Sequence, residues 1–202
     1  MEYQEFTRRL NELGSVITMG IAYFVAWRGL MVEDEESAHA LNLHRGFFLP
    51  ARDALLWMTF MQLSKAFDRD PRTISPTVLL DAAKADRTTL TPQATEDELN
   101  IIEKQISDNE QLLTRLKNLR DQRIAHHDAI APNDRRVLFG EVQKLVEDIK
   151  SMYNNLCHWH NNTYTSFDMI SRDAERDTAE VVNIMRSERD RLMRRFDTTD
   201  KP

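Results

Sequence analysis

The chain carries a single cysteine, Cys157, among 202 residues. A lone thiol excludes an internal disulfide and a multi-cysteine zinc site, and it fits a reducing compartment, so the expected location is the cytoplasm. Glycine and proline are scarce as well, at 5 and 6 residues. With so few turn formers the chain favours helices over a turn-rich sheet. Basic residues number 27 against 33 acidic ones, a formal net charge of −6. That balance excludes a nonspecific nucleic-acid coat, whose affinity would come from many Lys and Arg contacts to phosphate, but leaves local contacts with RNA open. The sequence also lacks a Gly-rich phosphate loop, an H-E-x-x-H string and a G-x-S-x-G string. One apolar stretch invites a membrane check, and a buried core helix is the expected reading. Leu13–Trp27 is free of charge, yet it falls short of the ~20 residues required, and Arg28 closes it. The first residues, Met1 to Glu5, are acidic and do not read as a secretory signal.

What is present is helical periodicity. Phe6, Leu10, Leu13, Ile17, Gly20, Phe24, Trp27 and Met31 recur at steps of four and three, predicting one helix from about Tyr3 to Val32. Gly14 and Gly20 within it would let a neighbouring helix approach closely. The stripe serves either a dimer interface or packing inside a bundle. After an acidic patch at Glu33–Ser37 and a connection at Asn42–Pro50, a second helix is expected from Pro50 to about Phe67, with Pro50 in its first turn. Its apolar residues lie nearly all round, which predicts a central buried helix. Asp68-Arg69-Asp70-Pro71 ends it, because proline cannot continue a helix. Ser75-Pro76-Thr77 opens a short helix, and Asp86–Pro92 reads as a polar connection. Thr95 and Glu98 form a capping-box pattern ahead of a long helix that continues through Leu112, Leu116 and Leu119. Ala131-Pro132 breaks the chain, with Asn133 or Asp134 as the next cap. Leu138, Val142, Leu145, Ile149, Met152, Leu156 and Trp159 then mark a helix from Arg135 to His160, closed by Asn161-Asn162-Thr163. A last helix, about Ser171–Phe196, is basic at its end through Arg186, Arg189, Arg191, Arg194 and Arg195; this is a solvated charged face or an RNA-facing strip. The expected fold is therefore an all-α, antiparallel helical bundle of about five long helices plus a short one.

Two clusters invite a chemical reading. Cys157-His158-Trp159-His160 looks metal-like, but side chains two apart on a helix diverge by about 200°, so His158 and His160 do not chelate one ion. His39 and His44 have no helical spacing to other ligands. No metal site and no cofactor are expected. The second cluster is Arg120, Asp121, Arg123, His126, His127 and Asp128, where the apolar face of the long helix gives way to cations. Cations also gather at helix C-termini for electrostatic reasons alone, so the cluster is either helix-end charge, salt-bridged by Asp121 and Asp128, or a site.

Arg120-Asp121-Gln122-Arg123-Ile124-Ala125-His126 resembles the R-x(4–6)-H motif of the HEPN superfamily. A long first helix, Arg52-Asp53-Ala54-Leu55-Leu56, Phe67-Asp68-Arg69 and Arg72-Thr73-Ile74-Ser75, in that order before the motif, are similar to the AbiU-type abortive-infection branch, over about residues 1–160. The resemblance implies a HEPN-like bundle over 1–170, with 171–202 a charged helix packed on or extending from it. It implies a metal-independent RNA endonuclease of phage defence or of a toxin–antitoxin pair, with RNA as substrate and an antitoxin or defence protein as partner. It makes His126 the general acid/base and Arg120 the phosphate stabiliser, with His127 as the second choice for the histidine. Asp121 or Asp128 would orient the imidazole or the arginine, and Arg123 and Asp128 would contact substrate. On a regular helix His127 lines up with Arg120 better than His126 does, whereas the Ala-His context favours His126. HEPN nucleases usually build one active site from two motifs across a dimer, so one motif per chain implies a homodimer. The alternative is a non-catalytic helical homodimer that binds a protein or nucleotide partner.

Overall fold

The computed structural model describes residues 1–67, 70, 72–125 and 137–199, with 120–125 and 196–199 described by backbone alone. Among the described residues there are nine helices and no strand: α1 (Tyr3–Leu30), α2 (Glu35–Asn42), α3 (Arg45–Ala66), α4 (Pro76–Ala85), α5 (Arg87–Leu90), α6 (Glu96–Asp108), α7 (Glu110–Ala125), α8 (Phe139–Asn161) and α9 (Phe167–Thr199). The all-α expectation holds. The chain divides into two compact units, Met1–Gly20 with Thr59–Phe167, and Ile21–Met58 with Asp168–Pro202.

In the first unit the stripe of α1 is consumed by the fold: Phe6, Leu10, Leu13 and Ile17 are buried. α1 is the one described helix long and apolar enough to cross a bilayer, with a mean hydropathy of 1.3, and 44% of that window is buried inside the protein. The local stop and start signals act as the residue types dictate. The Ser75 hydroxyl accepts the Val78 N–H ahead of Pro76. Thr95 and Glu98 close a reciprocal capping box, with the Glu98 carboxylate accepting the Thr95 N–H at 2.7 Å. Asn162 ends α8 in the left-handed region at φ 57°, its N–H reaching the Cys157 and His158 carbonyls.

Several boundaries move. Asp86–Pro92 contains a one-turn helix, α5, because the Asp86 carboxylate accepts the Thr89 N–H. The expected helix end at Asp68, Arg69 and Pro71 lies outside the described residues. The long helix from Glu96 is broken at Asn109, which is buried; its side-chain amide donates to the Gln105 carbonyl and to the Asp148 carboxylate, both at 2.8 Å. A side chain bonding back into its own helix competes with the helical ladder, and here α8 holds it there. The N-cap of α8 is Leu138, in place of the expected Asn133 or Asp134, which lie outside the described residues together with Ala131, Pro132 and Arg135.

The second unit closes on Leu30, Leu41, Phe48 and Val182, flanked by Val32, Leu55 and Met185. The acidic patch at Glu33–Ser37 opens a helix, α2, because the Asp34 carboxylate caps it by accepting the Ser37 N–H at 2.8 Å. α3 begins at Arg45 and so takes Pro50 into its interior. The missing N–H at Pro50 leaves the Gly46 carbonyl without its helical donor, at a point where both residues are exposed to solvent. The expectation of a central buried helix fails for the first half of α3. From Arg45 to Met58 only Phe48 is buried, while Phe47 is 68% exposed. α9 meets α1 at Gly29, where an added Cβ would lie 2.7 Å from the Thr178 methyl and 3.0 Å from its Cβ. The Thr178 hydroxyl donates to the Ala174 carbonyl at 2.7 Å, which fixes its rotamer. Gly29→Ala is therefore expected to destabilise the protein by about 1–3 kcal/mol. Adding Thr178→Ser should recover part of that loss; urea denaturation of both variants measures it.

Candidate functional site

The candidate cluster hangs on α7. Leu112 and Leu116 are buried at 6% and 0% exposure and anchor one face of the helix in the first unit. The Arg115 guanidinium donates to both oxygens of Glu141, at 2.5 and 3.2 Å. Glu141 in turn accepts the Leu138 N–H at 2.9 Å, half of a capping box at the start of α8. One carboxylate thus ties α7 to the first turn of the next helix. The sequence carried a signal for this, an acidic residue three positions after a helix entry, but its arginine partner lies 26 residues away.

The Arg115 hydrogen bond, and after it the Leu138 N–H, hold the Glu141 carboxyl below its ordinary 4.5. A carboxyl that is more acidic folded than unfolded stabilises the fold above about pH 4.5 and loses that contribution as pH falls through its lowered folded value. Glu141→Gln is expected to be less stable than wild type at pH 7, by no more than about 1 kcal/mol because both partners keep contact with water. The difference should narrow as pH falls from 7 to 3. Urea midpoints at the two pH values test this.

The backbone of α7 runs through Ala125, so Arg120, Asp121 and Arg123 belong to the helix, with Arg120 and Arg123 one turn apart. His126, His127 and Asp128 lie outside the described residues.

The second histidine cluster is structural. His158 is exposed and His160 buried, so the two imidazoles face opposite ways on α8. The His160 Nδ1 lies 2.6 Å from the Leu90 carbonyl, which only accepts, so Nδ1 carries the hydrogen. Nε2 lies 2.7 Å from the Thr7 hydroxyl, and the ring packs on Tyr3 and Phe6 at centroid distances of 4.4 and 4.8 Å. Cys157 is buried, and burial pushes its thiol above the ordinary range. Burial likewise pushes the Tyr153 phenol up to about 12. Among the described residues no group of three or more His, Cys, Asp or Glu side chains could hold a metal ion. The arginines of α9 are engaged: Arg186 pairs with Glu36 at 2.7 Å, Arg191 with Glu188 at 2.6 Å, and Arg189 with Asp190 at 3.0 Å. These pairs favour the solvated charged face over an RNA-facing strip.

An all-α fold without a strand among the described residues is consistent with a HEPN-like bundle. The family comparison agrees and narrows it: the HEPN_AbiU2 model, described as AbiU2, matches residues 3–181, and the chain belongs to that family. The match runs past residue 160 into α9. Membership suggests a function related to abortive infection. No curated protein and no solved structure matched the chain.

Proposed function

We propose that this protein is a metal-independent RNA endonuclease acting in phage defence or within a toxin–antitoxin pair, as a cytoplasmic homodimer. The observation that carries the reading is the R-D-x-R-x-A-H-x-D string from Arg120 to Asp128, inside the span matched by the AbiU2 family. Cleavage of RNA by its own 2′-OH needs one proton removed from that hydroxyl and another delivered to the leaving 5′-oxygen. The products are a 2′,3′-cyclic phosphate and a free 5′-OH. An imidazole with an unperturbed pKa near 6.5 exchanges both protons at neutral pH. In this reading His126 is that group, and two copies across the dimer supply base and acid. The Arg120 guanidinium binds two phosphate oxygens as charge builds on phosphorus, Arg123 grips a neighbouring phosphate, and Asp121 or Asp128 orients its partner. An antitoxin or a second defence protein would control the activity.

The test is cleavage of RNA by the purified protein in EDTA, wild type against a His126→Ala/His127→Ala double variant. Cleavage by wild type that the double variant loses supports the reading. Equal, low cleavage by both removes it and leaves the non-catalytic homodimer that binds a protein or nucleotide.

A further inference from the structure

α7 and α8 are joined at two levels. The Asn109 amide, just ahead of α7, donates to the Asp148 carboxylate at 2.8 Å. Six residues on, Arg115 meets Glu141, which stands seven residues earlier on α8. The two helices therefore run antiparallel with matched rise. In that register Phe139, the first residue of α8, is level with about Lys117, since each helix advances about 1.5 Å per residue. α7 continues to Ala125. Roughly 12 Å of it, carrying Arg120 and Arg123, thus has no turn of α8 beside it. The described buried anchors of α7 stop at the same level: Leu116 is fully buried, whereas Lys117 and Asn118 are exposed and Leu119 is half-buried.

Apolar contacts press a helix against its neighbour without direction, so they fix its rotation about its own axis only weakly. Two N–H donors of one guanidinium on two carboxylate oxygens do have direction. Arg115 supplies that fork one residue before Leu116, at 2.5 and 3.2 Å from Glu141. Glu141 is itself held by accepting the Leu138 N–H at 2.9 Å. Without the fork, a rotation of α7 by about 10° would carry a side-chain tip about 1 Å at the ~6 Å outer radius of a helix. A displacement of about 1 Å can cost on the order of 100-fold in rate.

We propose that Arg115 and Glu141 are positioning residues for the RNA-cleaving site: their ion pair fixes the rotation of α7, and with it the direction in which Arg120 and Arg123 leave the helix. The proposal rests on the nuclease reading, and in it neither Arg115 nor Glu141 touches RNA. Both side chains keep contact with water, so cutting the pair costs little stability and leaves the chain folded. A large loss of turnover in such a variant is then an effect of position.

The experiment is steady-state cleavage of RNA in EDTA by the full chain, with circular dichroism to confirm that each variant is folded. Arg115→Ala is expected to lower kcat about 10- to 100-fold and to leave KM within about threefold. Arg115→Lys keeps the charge but loses the fork, so it should recover little of that kcat. Spin labels on cysteines introduced at the exposed Asn118 and Gln143, one on each helix, should show a broader distance distribution with Arg115→Ala than without it. A wild type that leaves RNA intact removes the nuclease reading, and this role with it. A wild type that cleaves while Arg115→Ala keeps its kcat overturns the positioning role alone. So does a raised KM at unchanged kcat, which would put Arg115 on the substrate. Full rescue by Arg115→Lys, or a distance distribution that Arg115→Ala leaves unchanged, overturns it as well.

Discussion

His126→Ala is expected to lower RNA cleavage in EDTA by about 10²- to 10⁴-fold, the range over which a positioned general acid or base contributes. His127→Ala is expected to cost less, and the difference between the two identifies the histidine that moves the proton. The choice is physical. On a continuing helix of 3.6 residues per turn, His127 would lie nearly over Arg120, two turns on, and His126 about 120° away from it. The Ala125-His126 context argues for His126. Arg120→Lys adds a second arm: the charge stays, but the planar grip on two phosphate oxygens is lost, so turnover should fall while RNA affinity changes little. If His127→Ala proves the more damaging variant, the assignment passes to His127 with the mechanism unchanged. If neither histidine matters, the chemistry proposed for the string is gone.

The largest loss of stability is expected at His160. Its ring is 4% exposed, and both nitrogens are used, on the Leu90 carbonyl and the Thr7 hydroxyl. His160→Phe keeps a ring against Tyr3 and Phe6 but leaves the buried Leu90 carbonyl without a donor, whereas the Thr7 hydroxyl can still donate to the Tyr3 carbonyl. The stranded carbonyl costs about 1–3 kcal/mol. His160→Ala also opens a cavity, for a total of about 3–5 kcal/mol. With roughly 2–4 °C per kcal/mol for a chain of this size, the alanine variant should melt about 10 °C or more below wild type, and the phenylalanine variant between them. Differential scanning calorimetry decides it; two variants that melt with wild type would show that the network carries no stability.

His160 also marks where sequence reading stops. Its separation from His158 follows from helix geometry, and the metal reading fell on that ground alone. Its partners do not follow: Leu90 is 70 residues away and Thr7 is 153. The same divide runs through the fold. Ser75 before Pro76, Thr95 with Glu98, and Asn162 after α8 are local signals, each satisfied within a few residues, and they were legible. The break at Asn109 was not, because the carboxylate that holds its side chain belongs to Asp148, 39 residues on. α3 misled for another reason. Apolar residues all round a helix say that every face wants cover, and they do not say whether the cover comes from the same chain. For the candidate site the string of residues was readable and so was its support on α7, through Leu112 and Leu116. The Arg115–Glu141 tie was not, being a contact between elements.

The burial of Cys157 has a practical side. The only sulfhydryl of the chain is inside the bundle and is held in its protonated, unreactive form. Native protein therefore presents a silent background to maleimides and spin labels. A cysteine introduced at the exposed Asp53 would be the single addressable handle, without any native residue having to be removed first.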